Sequence, residues 1–480
     1  MAEPTAIRLD VSQSDESPLS GASPMMLNLL VEGPPREGQP RAVRTRPGLR
    51  AWSLFPATLA AEHAHPVVAM TILGGDVYYV TDSGAKTGLD RRRRVYSVSS
   101  TGGWRSLSAA ATEDISGTGP VRLATARHNI FAVGGADMSR INAGGVARVS
   151  GPPPASDVAL LAQRLVVVEN APEGRFYWSL PGDGNLETFD TVLDFREAEA
   201  RPDRAVACGA TARELFLFGS ETLQVFSPDA TETFTPGPSP ELGARSPTTV
   251  FRVDSAFAWL DSHERAVVGD GRNFDIVSDR GMADTFKGLA SPETVWGFRS
   301  LIGRFDLLTW VADESAYTYE ANSQTWSEWR SWRDGRWQAW APTSYVYHPD
   351  IKAHLVGMPD GTIAELTLES TRDLDDPLKW VARTGFDMGA RRHVTEARFA
   401  FERGQAASAD SVIDIRWRDD VGDFNPPARF PLGVPGTRDP EVSISPAGAP
   451  HRRRQWEVSG DGDDVYRILP ATAYVEEANF

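Results

Sequence analysis

Short runs of alternating apolar and polar residues, separated by turns rich in Gly, Asp and Pro, cover most of the chain from Val67 onward. The sequence VVAMTILGGDVYYVTD at residues 67–82 is an example, with one run on each side of Gly74-Gly75-Asp76. Alternation with a period of two predicts β-strands that bury one face. Comparable strand–turn–strand units begin near residues 67, 121, 157, 204, 247, 295 and 343, at intervals of about 35 to 55 residues.

A repeat of this length predicts a β-propeller. One four-stranded sheet cannot bury both of its faces, whereas six or seven sheets arranged radially can, and they leave only short edges exposed. We therefore expect a propeller over residues 61–374. Seven units predict seven blades. Because the second unit is short, six blades are also possible. A chain of β-sandwiches is the alternative architecture.

The two ends of the chain differ from the repeat. Residues 1–60 contain the apolar run MMLNLLV, a Pro/Gly-rich loop and the strand-like AVRTR, and they predict an extended arm or ribbon. Residues 375–480 alternate without repeating and predict a β-sandwich-like C-terminal domain. The expected fold class is therefore all-β.

Charge and composition narrow the classes of function. The formal net charge is −16 over 480 residues, so the chain as a whole should not cling to nucleic-acid phosphates. Cys208 is the only cysteine, which excludes an intrachain disulfide and a cysteine-based metal site. No apolar run approaches the roughly 18 residues of a membrane span. The polar start lacks a signal-peptide core, which predicts maturation in the cytoplasm of the producing cell.

The sequence contains no motif of a common catalytic or cofactor site. Gly269-Asp270-Gly271 lacks the lysine and the following helix of a phosphate-binding loop, and no serine lies in a G-x-S-x-G elbow. His63 and His65 are the closest histidine pair, but no third metal ligand is near them in sequence. We therefore expect no enzyme activity, no cofactor and no metal.

Paired carboxylates are the remaining candidate chemistry. A glycoside hydrolase needs two carboxylates about 5–10 Å apart across a sugar site. Glu197 with Glu199 and Asp313 with Glu314 are candidates, but nothing in the sequence brings either pair to such a site.

Clusters of like charge lie in predicted turns and loops. Asp419-Asp420 is interpreted as a turn, and residues 461–464 have only part of a calcium loop, without its closing residue. The basic runs at residues 91–94, 391–392 and 452–454 are interpreted as solvated loops or as ion-pair partners of an acidic neighbouring subunit.

A cluster of tryptophans between residues 326 and 340 allows two interpretations. The rings could form a stacking platform for sugars or bases, or they could pack at a blade edge or between subunits. Asp334-Gly335 predicts a hairpin turn through the cluster, which favours packing. The cluster consists of Trp326, Trp329, Trp332, Trp337 and Trp340.

Several segments, taken in order, resemble the packaged-DNA stabilisation proteins of short-tailed phages, which form the tail nozzle or tail hub. They are MLNLLVEG…RTRPGL at residues 26–49, the segment from RFYWSLPGDG to ETLQVF at 175–226, FAWLDSHERAVVGDG at 257–271, and IRWRDDVGDFNPPARFPLG at 415–433. A later RRRQWEVSG…VYRI is similar to the family's closing strands. Arg418 and Val421 depart from the Ser and Gly that are usual in the family.

The resemblance implies a propeller-bearing subunit of a homo-oligomeric ring, expected to be a hexamer, below the portal and its adaptor. It also implies that the arm of residues 1–60 contacts the adaptor or another subunit. Such a ring conducts and retains double-stranded DNA without sequence readout and docks tail fibres, spikes or a needle. The implied location is the virion tail, after assembly in the host cytoplasm. The interface candidates are Asn28, Pro47, Gly48, Leu49, Glu197, Glu199, Asp203, Trp326, Trp329, Asp419 and Asp420.

Two other functions remain open from the sequence. The chain could be a propeller-type tail protein that binds or hydrolyses glycans, although no clean Ser-x-Asp-x-Gly-x-Thr-Trp turn of sialidase-like propellers occurs. It could also be an intracellular scaffold, although WD- and kelch-type repeats are missing from the sequence.

Overall fold

The structure is a computed structural model. It describes residues 2–10, 12, 24–35, 40–56, 59, 63–84, 93–108, 114–172, 174–197, 203–228, 234–403, 412–420, 422–432, 440–463 and 465–477.

Six separate sheets are arranged as propeller blades, which confirms the predicted fold class. They are antiparallel apart from one parallel pairing, between Asp373 and Leu49. Five of them contain four strands in chain order and are called blades 1 to 5. The strands of blade 1 are Val67–Leu73, Asp76–Asp82, Arg93–Val98 and Trp104–Ser106, and those of blade 2 are Arg122–Thr125, Ile130–Val133, Ser139–Asn142 and Gly145–Arg148. The strands of blade 3 are Ala155–Leu161, Arg164–Glu169, Arg175–Trp178 and Phe195–Glu197, and those of blade 4 are Ala205–Ala210, Leu215–Gly219, Leu223–Pro228 and Phe234–Pro236. The strands of blade 5 are Phe251–Val253, Ala256–Leu260, Ala266–Gly269 and Phe274–Ile276.

The sixth separate sheet, called the closing blade, joins the two ends of the propeller. Its strands are Ser344–His348, Ala353–Gly357, Ile363–Thr367, Gly48–Ala51 from the N-terminal arm, and the short edge strands Arg372–Asp373 and Asp376–Pro377.

A further four-stranded unit, called the shared blade, lies between blade 5 and the closing blade and continues into the C-terminal sheet. Its strand Thr325–Arg333 pairs with the hairpin strand Arg336–Ala339 and, at Glu328, with Leu27 of the arm. The ring therefore has six separate blades and one that it shares with the C-terminal sheet. The strands of the shared blade are Trp296–Ile302, Phe305–Val311, Ala316–Glu320 and Thr325–Arg333.

Apolar clusters between neighbouring blades hold the ring together. Each neighbouring pair shares one buried cluster, in the order blade 1, 2, 3, 4, 5, shared blade, closing blade and back to blade 1. Second strands such as Ile130–Val133 and Leu215–Gly219 are buried at every position, because blades cover both of their faces. Fourth strands such as Trp104–Ser106 are largely exposed. The second strands therefore show little alternation of apolar and polar residues, because both of their faces are buried.

Helical structure is short in the described residues. The α-helix Arg280–Lys287 begins at Asp279, whose carboxylate accepts a hydrogen bond from Met282 N at 2.8 Å, a standard N-cap. Its Met282 and Phe286 pack between blade 5 and the shared blade. Two 3₁₀ turns occupy Pro247–Thr249 and Pro292–Thr294. No helix in these described parts has the length and apolar character needed to cross a membrane.

The C-terminal domain, expected to be sandwich-like, is a curled half-barrel sheet with one buried apolar core. The long strand Asp387–Arg403 pairs with Ala447–Asp461 and Ala471–Glu477 along its first part and with Glu441–Ile444 and Val465–Ile468 near its end. One strand thus passes from one part of the curled sheet to the other. The remaining strands of this sheet are Glu3–Ile7, Met25–Leu27, Leu29–Val31, Val43–Thr45, Lys379–Arg383, Val412–Asp419 and Ala428–Pro431.

The described part of the predicted arm is built into both domains. Met25–Leu27 pairs with Lys379–Arg383 of the C-terminal sheet, and Val43–Thr45 pairs with Val465–Ile468. Gly48–Ala51 then pairs with Ile363–Thr367, so the arm also closes the propeller.

Gly48→Ala is expected to destabilise the protein by about 1–3 kcal/mol, a typical cost of overpacking. A Cβ at Gly48 would lie 2.4 Å from the carbonyl oxygen of Arg372 and 2.6 Å from that of Ser370, and neither backbone can move without disturbing the closing blade. Urea unfolding measures the change. Gly184→Ala is the matched control because nothing lies within 4 Å of its Cβ position. Equal midpoints for the two variants would contradict the close packing.

Candidate functional site

The arm, the shared blade and the C-terminal sheet meet at Asn28, which is fully buried. Its Nδ2 donates to the carbonyl oxygens of Arg330 (2.8 Å) and Lys379 (2.7 Å). Its Oδ1 accepts from Arg330 N (2.9 Å) and Arg46 Nε (2.8 Å). These four bonds use the full hydrogen-bonding capacity of the amide. Asn28 has a φ of 59°, a left-handed conformation that asparagine tolerates better than most residues.

A buried ion pair adjoins this residue. Arg46 Nη2 lies 2.6 Å from Asp373 Oδ2 and Arg46 Nη1 lies 3.0 Å from Asp373 Oδ1, with both side chains at most 2% exposed. The other guanidinium donors bond Asn28, the carbonyl oxygen of Pro47 (2.8 Å) and that of Arg330 (3.2 Å). All five N–H groups of Arg46 are therefore satisfied. We call Asn28, Arg46 and Asp373 the buried junction.

Four of the predicted interface candidates lie in or beside this junction. Asn28, Pro47, Gly48 and Leu49 are all buried, and Leu49 belongs to the apolar cluster between the shared and closing blades. The structure thus places these residues in contacts within the chain. Their contact with an adaptor or another subunit stays a prediction.

The predicted candidates Trp326 and Trp329 are also buried. Trp326 is 2% exposed and its Nε1 donates to the carbonyl oxygen of Val277 at 2.9 Å. The ring centroids of Trp329 and Trp340 are 5.3 Å apart. The guanidinium carbon of Arg46 lies over the Trp329 ring, 5.5 Å from its centroid. Both rings pack inside the chain and form no exposed platform.

The other two tryptophans of the cluster line a groove between the shared blade and the C-terminal sheet. Trp332 and Trp337 are partly exposed, pair across their hairpin, and have ring centroids 5.0 Å apart. Lys379 Nζ lies 4.4 Å from the centroid of Trp332. The groove has a volume of about 440 Å³ and also contains the ion pair of Asp414 with Arg429.

The acidic candidates of blades 3 and 4 have local partners. Glu197 lies on the exposed fourth strand of blade 3, where its Oε1 is 2.8 Å from Arg175 Nε. Asp203 Oδ2 accepts from Thr222 N (2.9 Å) and Thr222 Oγ1 (3.2 Å), which anchors the turn between two strands of blade 4. Glu199 lies outside the described residues.

Asp419 and Asp420 hold the basic run at residues 452–454. Asp419 binds Arg454 through two contacts, from Oδ1 to Nε at 2.7 Å and from Oδ2 to Nη2 at 2.8 Å. Asp420 Oδ1 accepts from the backbone N–H groups of Arg452 (3.2 Å) and Arg453 (3.1 Å). These two aspartates position an arginine of the same chain.

That arginine lines a pocket of about 300 Å³ in the C-terminal sheet. Apolar and basic side chains predominate in its wall, and no carboxylate is among the described residues that line it. The wall includes the apolar residues Ile7, Val394 and Trp456 and the basic residues Arg8, Arg392 and Arg454. We call this cavity the basic pocket.

The structure also contains an exposed apolar turn in blade 3, which the sequence analysis did not predict. Val192 and Leu193 are each 75% exposed, the highest values among the large apolar residues in the described parts. Asp190 Oδ1 accepts from Val192 N (3.0 Å) and Leu193 N (3.1 Å), and Asp194 N donates to Asp190 O (2.8 Å). The available signal was two adjacent aliphatic residues between two aspartates in a polar loop.

The first histidine of the pair noted in the sequence, His63, packs among aromatic side chains. His63 Nδ1 is 2.9 Å from the hydroxyl of Tyr96, and its ring packs on Trp104. Across the described ranges, no group of three or more His, Cys, Asp or Glu side chains is placed to hold a metal ion.

The stability of the protein is expected to fall between pH 7 and pH 5, in part through His451, which also lines the basic pocket. Burial lowers the pKa of this imidazole, and Arg454 lowers it further, against a hydrogen bond to Ala449 O that raises it. The unfolded chain therefore takes up the proton first, near pH ~6.5. Stability is fully present above that pH and is lost as the pH falls toward the lowered pKa.

Replacement of His451 by asparagine tests this expectation, because asparagine keeps a side-chain N–H but does not titrate. Urea unfolding at pH 7 and pH 5 should show a smaller loss of stability for the variant than for the wild type. The same substitution at the exposed His128 is the control. Identical losses in the His451 variant and the wild type would refute the assignment.

Comparison of the sequence with models of known protein families finds no match, and no similar sequence is found among curated proteins.

Proposed function

We propose that the chain is a structural subunit of a phage tail, which forms a nozzle ring below the portal and adaptor. The observation that carries the proposal is the placement of residues 26–49, the first segment that resembles the tail-nozzle family. This segment supplies the strands that connect the C-terminal sheet with the propeller and close the propeller. A ring subunit that guides DNA under pressure needs its two domains fixed to each other.

The buried junction supports the same role. Asn28, Arg46 and Asp373 connect the arm, the shared blade and the edge of the closing blade through side-chain bonds that are shielded from water. Charge-assisted bonds in a buried site fix geometry more strictly than apolar contacts do. Such a connection suits a rigid part of an assembly.

The charge of the chain supports passage of DNA. A net charge of −16 over 480 residues makes binding of a phosphate backbone by the chain as a whole unfavourable, and each neutralised phosphate would add affinity and friction. We propose that part of this negative charge lines the channel of the ring. A ring structure with an arginine-lined bore would contradict this mechanism.

A glycan-binding tail protein is the second candidate, and one observation favours it. The groove at Trp332 and Trp337 combines partly exposed indole rings with Asp414 and Arg429. Aromatic faces beside planar charged groups are the chemistry that binds sugar rings. This function would fit a monomer as well as a ring.

Native mass spectrometry of the purified full chain tests the proposal. A nozzle subunit should form a closed oligomer, with six copies as the expected number. A protein that stays monomeric at every concentration and binds bacterial polysaccharide, with loss of binding in Trp337→Ala, would support the second candidate and overturn the first.

A further inference from the structure

The strand Gly48–Ala51 of the closing blade is covered along only part of its outer edge. Its inner edge pairs with Ile363–Thr367, and its outer edge pairs in parallel with Asp373 at Leu49. At that point Leu49 O accepts a hydrogen bond from Leu374 N at 2.8 Å. The chain then turns at Leu374, whose φ is 58°. The outer edge is therefore covered at the start of the strand and open at its end.

The backbone of Ala51 faces the open part of this edge. In an antiparallel pair, successive residues alternate between bonding the partner strand and pointing their N–H and C=O away from it. Leu49 O points to the outer edge, so the N–H and C=O of Ala51, two residues further on, point to the same side. Both Arg50 and Ala51 are exposed, and no described residue bonds the outward groups of Ala51. Such an edge is a template for another strand.

A cleft of about 970 Å³ lies along the open edge, and we call it the edge cleft. Arg50 and Ala51 line it together with the apolar residues Trp52, Phe55 and Ile363, each at most 8% exposed. Its volume is more than three times the 300 Å³ of the basic pocket, so it has room for a segment of chain. A strand added at Ala51 would place alternate side chains against the apolar wall.

Carboxylates outnumber basic groups in the edge cleft. Four carboxylates and two guanidiniums are among its lining residues, namely Asp360, Glu369, Asp375, Asp463, Arg50 and Arg372. Both arginines already have carboxylate partners. Arg50 Nη2 lies 2.9 Å from Glu365 Oε2, and Arg372 Nη1 lies 2.7 Å from Asp463 Oδ2. The cleft therefore carries an excess of negative charge.

Asp360 and Asp375 supply this excess, and both are exposed. Asp360 Oδ1 accepts from Thr362 N at 3.0 Å and from Thr362 Oγ1 at 2.6 Å, and neither donor carries a charge. Within the described ranges, the ion pairs of this region use Glu365, Glu369 and Asp463 and include neither of these two aspartates. A ligand with positive charge would complement them.

We propose that the edge cleft binds an extended basic segment of a partner protein as an added strand. The backbone of the segment pairs with the N–H and C=O of Ala51, and an apolar side chain contacts Trp52 and Ile363. A lysine or arginine of the segment pairs with Asp360 or Asp375. In strand addition, backbone hydrogen bonds supply affinity and side-chain contacts supply specificity. The inference does not depend on the proposed ring.

Fluorescence anisotropy of a labelled peptide mixed with the purified full chain tests the proposal. The probe is a peptide of alternating lysine and valine, about six residues long, the usual length of a strand. It should bind, and its Kd should rise with salt because part of the attraction is ionic. A probe with glutamate in place of lysine should bind at least tenfold more weakly. Equal binding of the two probes, or no binding of either, would overturn the proposal.

Two changes test the pairing with Ala51. Ala51→Pro removes the outward N–H, which proline can do at a sheet edge without loss of a ladder bond, and should raise the Kd at least tenfold at an unchanged urea midpoint. A lysine–valine probe with N-methylated peptide bonds should bind the wild type at least tenfold more weakly. This second measurement needs no variant, so it decides the matter even if Ala51→Pro does not fold. Equal binding of methylated and unmethylated probes would rule out strand addition.

The double substitution Asp360→Asn with Asp375→Asn tests the charge. Asparagine keeps the acceptor oxygen that Thr362 uses, and the Kd of the lysine–valine probe should rise at least fivefold, with a weaker dependence on salt. Asp183→Asn, at an exposed position of blade 3, is the matched control and should leave the Kd unchanged. Unaltered binding in the double variant would contradict the proposed contact.

Spermidine separates a peptide site from a site for small cations. It carries positive charge but has no peptide groups to pair with Ala51. At the concentration of the lysine–valine probe it should displace less than a tenth of the bound probe. Displacement as effective as that by unlabelled peptide would overturn the assignment of a protein partner.

Discussion

Replacement of Arg46 by methionine is expected to destabilise the protein by about 3–5 kcal/mol, the range for breaking one side of a buried ion pair. The variant would leave the carboxylate of Asp373 buried, and within the described parts of the chain the remaining side-chain donor is Ser331 Oγ at 3.4 Å. It would also remove the Nε donor to Asn28 Oδ1. The urea midpoint of unfolding measures the effect.

Arg50 provides the matched control four residues away. Its guanidinium pairs with Glu365 at 2.9 Å and Glu369 at 3.1 Å, but its side chain is 50% exposed. Arg50→Met should therefore cost only about 0–1 kcal/mol. The double variant Arg46→Met with Asp373→Leu should recover much of the lost stability, because no buried charge is left unpaired. Similar losses for Arg46→Met and Arg50→Met would show that the junction does not connect the domains as described.

Replacement of Trp310 by alanine is expected to cost about 3–5 kcal/mol, the range for truncating a large buried aromatic residue. Trp310 is fully buried between blade 5 and the shared blade, and its ring lies 5.3 Å from Phe251 and 5.7 Å from Trp326. The cavity would open between two blades, so the thermal unfolding temperature and the urea midpoint should both fall.

Two further variants show whether burial causes this effect. Trp310→Phe should lower the free energy of unfolding by less than Trp310→Ala does. The phenylalanine keeps an aromatic ring, and the substitution removes a buried indole N–H that has no protein partner. Trp337→Ala, at the partly exposed hairpin, should cost about 1 kcal/mol. A loss at Trp337 as large as that at Trp310 would contradict the assigned packing.

The propeller was predictable from the sequence because its signal is local. The predicted unit starts near residues 67, 121, 157, 204, 247, 295 and 343 lie within a few residues of the first strands of blades 1 to 5, the shared blade and the closing blade. Strand alternation and turn residues repeat within each unit, and no distant contact is needed to see them.

The connection between the domains was not predictable in this way. Arg46 and Asp373 are 327 positions apart, and nothing in either local sequence indicates an ion pair. The strand Gly48–Ala51 resembles any short extended segment until Ile363–Thr367 is placed beside it. Long-range pairing depends on the tertiary fold, which local periodicity does not encode.

Among the candidate residues, too, features with a local sequence signal were predictable and features that depend on the tertiary fold were not. The hairpin turn predicted at Asp334-Gly335 is present, but the sequence did not indicate which tryptophans are buried and that Trp332 and Trp337 stay partly exposed. The exposure of Val192 and Leu193 could not be judged from hydrophobicity, which by itself suggests burial. Only the Asp190 cap and the open surroundings identify this turn as a projection.

The most direct test of the proposed function is negative-stain electron microscopy of the purified chain mixed with the portal–adaptor complex of its virion. The account predicts a closed ring of this chain below the adaptor, with a central channel continuous with that of the portal. A chain that remains a free monomer, never joins the complex and hydrolyses polysaccharide would contradict it.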